Sequence, residues 1–425
     1  MKITTDVLIA GTGVAGLIAA LNISSDKKVT MLTKSELEES DSFLAQGGIC
    51  VLHEEDDYAE YYEDTMRAGH YENNPQSVEM MIRSSASLIE ELISYGVDFE
   101  RKNGKLCYTR EGAHSRPRIL YHEDITGKEI TSKLIARVKE KSNITILENF
   151  TLTDIVESEN ECVGAVGIYN DEKVYIDADY TILATGGIGG LYQHSTNYPH
   201  LTGDAAAIAI MHNVDIENPH YIQIHPTTLY SKKKGRSFLI SESVRGEGAV
   251  LLNKNRERFT NELEPRDVVT KAIYKQMEED NMAYVWMSFE GVGEEIIKKH
   301  FPNIYKKCLE EGYDITKECI PIVPAQHYHM GGVHIDLDGK TTMQRLYCVG
   351  EAACNGVHGR NRLASNSLLE SMVFAKRAAK DICGRYSDAK RASDVDFEKC
   401  SFTTEGYDKI VLEYIRECER NEQNG

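Results

Sequence analysis

The chain has 425 residues, and its 48 Lys and Arg against 67 Asp and Glu give a formal net charge of −19. This length favours two domains over a single core, and the negative charge argues against nucleic acid or an anionic membrane as a partner. With 41% hydrophobic and 27% charged residues, no apolar run of about 18 residues and no signal-peptide pattern, the sequence predicts a globular, cytoplasmic protein.

The first predicted element is a buried strand at residues 6–10, followed by the turn GTGVAG and the apolar helix LIAALNI. Gly11 permits the tight turn, Gly13 lets a pyrophosphate approach the backbone, and Gly16 lets the helix pack close to the strand. The N-terminus of the helix can then hold the anion. This strand, loop and helix predict a dinucleotide site.

The second strand, KVTMLTK, ends on Thr33 and Lys34, where an acid for the adenosine ribose is usual. Glu36 is the nearest carboxylate, so the residues alone leave the identity of the nucleotide open. Residues 34–57 have neither helical nor strand periodicity. A loop of this length predicts a functional segment, with a surface loop as the alternative.

Periodic apolar residues then predict helices at 58–69, 75–96 and about 127–141. Between them, residues 106–121 carry several charged side chains around Gly112 and Pro117, which indicates either a functional loop or a solvated one. Strands are predicted from residue 144 to a second close approach to ligand at residues 184–187. A helix from Thr202 places Asp204 in its first turn, where it can cap the helix and reach a ligand.

The pattern changes to strands and turns from residue 219 to 331, with helical runs at 266–280 and 292–309. A third buried strand then ends at Gly350 and Glu351, before a long helix at 364–382. We therefore predict the α/β class, with a doubly wound domain that is discontinuous in sequence and an inserted α+β domain. The expected ranges are 1–218 and 332–386 for the doubly wound domain, 219–331 for the insertion, and 387–425 for a short tail with a helix at 407–420.

Four residues beside Gly and Pro turns are candidates for chemistry, namely His225, Arg266, His327 and Arg362. Each alone is more often a core histidine or a helix-start ion pair. Together, two arginines and two histidines can hold the two carboxylates of a dicarboxylic acid. The ten cysteines include no C-x-x-C pair, so no metal site is predicted.

These segments carry a resemblance that covers residues 5 to about 385. The chain resembles the L-aspartate oxidase family, and more widely the succinate dehydrogenase and fumarate reductase flavoproteins, in the order and spacing of the glycine fingerprint, SFLAQGG, TREGAHS, ILATGG, QIHPTTL, RGEGA, EPRDVV, HYHMGG, VGEAA and NRLASNSLLES. The resemblance implies FAD between a doubly wound domain and an inserted capping domain. It also implies oxidation of L-aspartate to iminoaspartate, the first step of de novo NAD biosynthesis, with oxygen or fumarate reoxidising the flavin and possible transfer of product to quinolinate synthase.

By the same resemblance, residues of the glycine turn, the second strand end and several later loops hold FAD. They are Gly11, Gly13, Val14, Ala15, Gly16, Lys34, Ser42, Phe43, Leu44, Ala45, Gln46, Gly47, Gly48, Asp204, Glu351, Ser367 and Leu368. Membrane dehydrogenases of the family carry a covalently attached His where this chain has Asp41. Non-covalent FAD is therefore expected.

The resemblance also assigns the substrate contacts. Arg362, His225 and His327 hold the carboxylates, Ser241 keeps a hydroxyl near them, and Glu111 pairs with the α-ammonium group of aspartate while opposing succinate. Arg266 matches the proton donor of the family; because an arginine is a poor base at neutral pH, we expect an electrostatic role in aspartate oxidation and proton delivery to fumarate.

One alternative function is a soluble fumarate reductase or succinate-oxidising flavoprotein, for which the same carboxylate contacts would serve. A second is a subunit that only carries electrons within a complex, against which the intact set of candidate site residues argues. Two departures from the family pattern are His329, where Thr is usual, and a helical C-terminal domain of relatives that is expected to be largely absent here.

Overall fold

The structure is a computed structural model that describes residues 1–232, 235–386 and 400–424. Its strands are β1 Lys2–Ala10, β2 Val29–Leu32, β3 Ile49–Cys50, β4 Arg101–Lys102, β5 Lys105–Leu106, β6 Ile119–Leu120, β7 Ile144–Leu147, β8 Phe150–Ser158, β9 Glu161–Tyr169, β10 Glu172–Leu183, β11 Ile216–Glu217, β12 Ile222–Leu229, β13 Phe238–Leu239, β14 Val250–Leu252, β15 Val285–Ser288, β16 Ile320–His329, β17 Gly332–His334, β18 Leu346–Cys348 and β19 Ala353–Cys354. Its α-helices are α1 Val14–Asn22, α2 Asp41–Leu44, α3 Tyr58–Ala68, α4 Pro75–Ser94, α5 Thr126–Lys139, α6 Asp204–Met211, α7 Glu242–Gly246, α8 Arg266–Asp280, α9 Glu294–His300, α10 Pro302–Glu310, α11 Ser367–Arg385 and α12 Tyr407–Asn424.

The largest sheet has seven strands, in the order β7-β2-β1-β10-β9-β8, with β18 paired to β10. β7, β2, β1, β10 and β18 run parallel, whereas β9 pairs antiparallel with β10 and with β8. Helix α1 lies against α5 and α11. The predicted α/β class with a doubly wound sheet is confirmed, and its ligand side is the edge where the parallel strands end.

Two glycines explain how the chain turns at that edge. Gly11 follows β1 with φ +121°, and a Cβ there would lie 1.9 Å from the carbonyl oxygen of Ala184, at the end of β10. A Cβ on Gly16 would lie 2.1 Å from the carbonyl oxygen of Gly11. The tight turn and the close approach of helix to loop therefore both require glycine, as the sequence predicts.

A second sheet contains five antiparallel strands in the order β13-β12-β16-β15-β14. It has its own apolar core, which includes Val269 and Ile273 of α8 and Ile304 of α10. The larger sheet belongs to a separate core. These two cores support an inserted domain at 219–331, and its bounds stay a prediction.

Three local predictions need correction. The segment 34–57 is not wholly irregular, because it contains α2 and β3. The helical run at 292–309 is two helices, α9 and α10, which meet at Phe301–Pro302, since proline starts a helix more readily than it continues one. The helix predicted from residue 364 begins at Ser367, because Ser365 is left-handed with φ +63°.

The expected tail begins at residue 387, outside the described residues. Further along the chain, α12 is longer than its predicted range of 407–420 and lies against α6. In the part of the chain that the structure describes, no helix is both long and apolar enough to cross a membrane.

Candidate active site

A single cleft with an empty volume of about 1610 Å³, which we call the main cleft, runs from the ends of β1, β2 and β10 to the second sheet. All five predicted catalytic residues and Ser241 line it. So do nearly all the predicted FAD residues, namely Gly11, Gly13, Val14, Ala15, Lys34, Ser42, Leu44, Ala45, Gln46, Gly47, Gly48, Asp204, Glu351, Ser367 and Leu368. Gly16 and Phe43 do not line the main cleft; Gly16 lies behind Gly11 instead.

The glycine turn and α2 meet at one end of the main cleft. The Ser42 hydroxyl accepts a hydrogen bond from the backbone N–H of Val14 at 3.2 Å. A Cβ on Gly13 would lie 3.2 Å from the same Ser42 oxygen, so a larger residue would crowd the space between the loop and α2. The absence of a side chain at Gly13 leaves the first turn of α1 open to an anion.

Lys34, two residues after the end of β2, contacts the start of α6. Its Nζ lies 2.9 Å from Oδ2 of Asp204 and also donates to the Thr202 hydroxyl at 3.0 Å. Gly203, with φ +76°, occupies the N-cap position of α6, so Asp204 does not cap the helix as predicted. Asp204 instead pairs with Lys34 while facing the main cleft.

Three buried polar atoms of the main cleft find no hydrogen-bond partner among the described residues. They are Ser40 Oγ, Asp41 Oδ2 and Gln46 Oε1. Buried polar groups are normally paired, so unpaired ones along a cleft indicate a polar ligand. Together with the glycine turn, they show that the residues present fit a dinucleotide such as FAD.

The two predicted arginines converge on one amide, that of Gln223 in β12. Gln223 Oε1 accepts from Arg266 Nη1 at 2.8 Å and from Arg362 Nε at 3.3 Å. The amide is held in turn, because Gln223 Nε2 donates to Asn361 Oδ1 and to the Arg362 carbonyl, both at 2.8 Å. Burial and the repulsion by Arg266 lower the pKa of Arg362 to about 10, so it still carries its charge at neutral pH.

The two predicted histidines lie beside this arginine pair, with ring centroids 5.1 Å apart. His225 Nδ1 lies 3.1 Å from the Thr227 backbone nitrogen and 3.2 Å from the Thr227 carbonyl oxygen, and His327 Nδ1 bonds the Thr196 hydroxyl at 2.7 Å. Burial and the charge of Arg266 hold the pKa of both imidazoles well below the ordinary value. Both are therefore neutral hydrogen-bonding groups at physiological pH.

Glu111 is the anionic counterpart in the same cleft, and it is only 4% exposed. Its Oε2 accepts from the Ser365 hydroxyl and its Oε1 from the Ser243 hydroxyl, each at 2.7 Å. A Cβ on Gly47 would lie 2.9 Å from Oε1, so Gly47 leaves room for the carboxylate. Burial, and then the nearby Glu242, raise the pKa of Glu111.

Arg266 opens α8 and lies next to a second carboxylate, Glu242 at the start of α7. Arg266 Nε lies 2.6 Å from Glu242 Oε2, and Arg245 lies 3.6 Å from the same oxygen. Burial acts to raise the pKa of Glu242, but Arg266 and Arg245 outweigh it and keep the pKa low. Arg245 Nη1 also donates to the Glu262 carbonyl. The guanidinium of Arg266 thus belongs to a buried network of charged side chains with Glu242 and Arg245.

Asp41 and Glu351 form a different acidic pair in the main cleft. Asp41 Oδ1 accepts from the Tyr198 N–H at 3.0 Å, and Glu351 Oε1 accepts from the His329 N–H at 2.9 Å. Burial raises the pKa of both carboxyls, and the charge of Asp41 raises that of Glu351 further. The His329 ring donates to the Pro219 carbonyl at 2.9 Å and does not line the main cleft, so His329 serves this site through its backbone.

Sequence reasoning missed three residues that connect the predicted ones: Gln223, Glu242 and Ser243. Gln223 precedes His225 by two residues, so strand periodicity would have placed both side chains on one face. Glu242 and Ser243 follow Ser241 directly, but nothing in the sequence indicates which partner each one meets.

The comparisons agree with this arrangement. Residues 6–368 match the family described as FAD binding domain. The chain is 49% identical over 383 residues to an L-aspartate oxidase of Clostridium perfringens, covering 90% of this chain and 87% of the relative, and 50% identical over 384 residues to that of Clostridium acetobutylicum, covering 90% and 88%. Among solved structures, a chain of quinol fumarate reductase from E. coli has a TM-score of 0.87 at 25% identity, covering 99% of this chain and 75% of that chain.

Proposed function

The chain belongs to the L-aspartate oxidase family of FAD-binding proteins, and we propose that its main cleft oxidises L-aspartate to iminoaspartate with FAD. The observation that carries this proposal is the charge arrangement: two arginines on one amide, with a buried carboxylate in the same cleft. L-aspartate presents the complementary pattern of two carboxylates and one ammonium group.

The substrate carboxylates are held by two cations, Arg266 and Arg362, and by the neutral imidazoles of His225 and His327. Because the arginines are almost fully buried and repel each other, an anion between them is favoured, and guanidinium groups can donate two parallel hydrogen bonds to a carboxylate. Ser241 adds a hydroxyl on the same wall.

Glu111 orients the substrate through its ammonium group and selects against succinate, which lacks one. Succinate bound in the same way would leave Glu111 with no ammonium group beside it. A buried charge without a partner is costly, whereas a close opposite charge is favourable. The selectivity for aspartate over succinate therefore rests on this carboxylate.

When bound, FAD supplies the hydride acceptor of the reaction. The glycine turn, Lys34, the segment from Ser42 to Gly48, Asp204, Glu351, Ser367 and Leu368 would hold it. Helix α11 begins at Ser367, whose hydroxyl accepts from Arg362 Nη1 at 2.6 Å. The positive end of α11 therefore points toward the main cleft, where it stabilises negative charge.

Arg266 acts mainly through its charge when aspartate is oxidised, and it delivers a proton when fumarate is the acceptor. The buried network of Arg266, Glu242 and Arg245 supports this second role, because it can return a proton to Arg266 after each transfer. Fumarate and oxygen both reoxidise the flavin in this proposal. The product enters NAD biosynthesis, and we propose that it is passed to quinolinate synthase.

The test is a product balance. FAD-loaded protein is incubated without oxygen with L-aspartate and fumarate, and succinate and the oxaloacetate formed by hydrolysis of iminoaspartate are both quantified. We expect equal amounts of the two. Electron transfer from succinate but not from L-aspartate to an artificial acceptor would instead support the soluble fumarate reductase alternative.

A further inference from the structure

A second cavity lies beside the main cleft, with an empty volume of about 410 Å³. Gln46, Gly47 and Ser241 line both cavities and so form a shared wall between them. We call this cavity the side pocket; its remaining wall includes Tyr121, Ser243, Glu247 and His300. Its position behind Glu111 raises the question of what passes between the two cavities.

Ser243 is the polar connection through that wall. Its hydroxyl donates to Glu111 Oε1 at 2.7 Å, and the residue also borders the side pocket. Glu111 itself faces the main cleft. Ser243 Oγ also accepts from the Ser241 hydroxyl at 3.2 Å. A hydroxyl has one donor and two acceptor sites, so one acceptor site remains through which Ser243 can relay a proton between the carboxylate and water in the side pocket.

The side pocket also carries two partly exposed side chains, a histidine and a glutamate. His300 Nδ1 and Glu247 Oε1 lie 3.6 Å apart, and their side chains are 33% and 35% exposed. The other titratable groups that face the pocket are Tyr121, Glu123 and Asp124. Three carboxylates against one imidazole give the pocket an acidic character, which favours the uptake of positive charge.

The side pocket is separate from the network of charged side chains that Arg266 forms with Glu242 and Arg245. Two successive residues of α7 divide the two: Glu242 points to Arg266, and Ser243 points to Glu111. The groups that set the charge around Glu111 are Glu242, which raises its pKa, and Arg266, which lowers it. The Arg266 side can thus serve a proton on carbon, while the Glu111 side serves a proton on nitrogen.

Resting on the proposed oxidation of L-aspartate, we propose that the side pocket is the exit route for the proton that the substrate ammonium group must lose. One N–H bond of the ammonium breaks and its proton goes to the Glu111 carboxylate. The nitrogen electron pair forms the C=N bond as the Cα hydrogen leaves as hydride, for which FAD, when bound as in the proposed function, would be the acceptor. The proton then passes from Glu111 through the Ser243 hydroxyl to water in the side pocket, and through Glu247 and His300 to solvent.

The experiment compares two half-reactions of the FAD-loaded protein by stopped-flow absorbance: flavin reduction by L-aspartate and reoxidation by fumarate. The second needs no proton transfer at nitrogen and serves as an internal reference. The variants are Ser243→Ala, Ser243→Thr and the double variant Glu247→Gln with His300→Gln. Glu295→Gln, an exposed acid on α9, is the control. FAD content and circular dichroism are checked for each.

For Ser243→Ala we expect the ratio of the two rates to fall about 100-fold, as for loss of a proton-transfer group, with a changed solvent isotope effect in D₂O. Ser243→Thr restores the ratio because it keeps the hydroxyl. The double variant lowers the ratio, and added imidazole restores it by accepting the proton in the side pocket. If Ser243 only positioned Glu111, Ser243→Ala would leave the solvent isotope effect unchanged. If Glu247 and His300 played no part in proton transfer, imidazole would not rescue the double variant.

Two results would overturn the proposal in distinguishable ways. If wild type is reduced by L-aspartate and all variants keep the wild-type ratio, or if imidazole has no effect on the double variant, the exit route is wrong and the proposed function stands. If L-aspartate does not reduce the wild-type flavin at all, the proposed function fails and the route falls with it.

Discussion

Replacing Glu111 by glutamine keeps the size of the side chain and removes its charge. In the structure, the carboxylate is 4% exposed and lies in one cleft with both arginines. Loss of one partner from a buried ion pair costs about 3 kcal/mol, near the low end for such pairs. This corresponds to a fall of about 150-fold in kcat/KM for L-aspartate. For succinate, kcat/KM should rise, because the like charge is gone.

The assay is anaerobic flavin reduction by each substrate across a range of pH. Because burial raises the pKa of Glu111, the ionised form that pairs with ammonium grows as pH rises. The wild-type rate with L-aspartate therefore increases through that pKa, and Glu111→Gln lacks this limb. Glu264→Gln, an exposed acid two residues before Arg266, is the matched control. Equal loss for aspartate and succinate, or no loss for aspartate, would refute the role given to Glu111.

Four other substitutions test the remaining roles. Arg266→Lys should lower fumarate reduction about 100-fold while oxidation of L-aspartate is retained, and equal loss in steady-state assays would contradict this division. Burial raises the pKa values of the Asp41 and Glu351 carboxyls, so in wild type both gain negative charge as pH rises. FAD titrations should therefore show weaker affinity from about pH 6 to about pH 9. Asp41→Asn should flatten this pH dependence, and an unchanged slope in the variant would contradict the role given to Asp41. Gly11→Ala places a Cβ 1.9 Å from a carbonyl oxygen and should lower the melting temperature and FAD retention. Gly384→Ala, in α11 with nothing within 4 Å of the new Cβ, should stabilise the folded protein by about 0.5–1 kcal/mol. The opposite order of stabilities would refute the packing argument.

Structural features that depend on residues close together in the sequence could be predicted from local patterns. The strand, turn and helix around Gly11 were predictable because one turn needs a positive φ and one helix packs closely on a strand. Helices α4 and α5 were predictable from the spacing of their apolar residues. The four-residue helix α2 was not, because so short an element shows no periodicity.

The partners within the site could not be read from the sequence in the same way. Ser243 and Ser365 lie 132 and 254 residues from Glu111, and each contributes one hydrogen bond to it. Such contacts form only when both sheets fold and meet. The type of residue also misleads at His329, where an imidazole beside the site motif turns to the Pro219 carbonyl and only its backbone N–H reaches Glu351.

The central claim is that this cleft accepts electrons from L-aspartate rather than from a dicarboxylate that lacks the amino group. The most direct measurement mixes FAD-loaded protein anaerobically with L-aspartate and, separately, with succinate, while flavin absorbance is followed. We predict fast bleaching with L-aspartate alone, and recovery of absorbance when fumarate or air is added. Bleaching by succinate alone would contradict the account and remove the role given to Glu111.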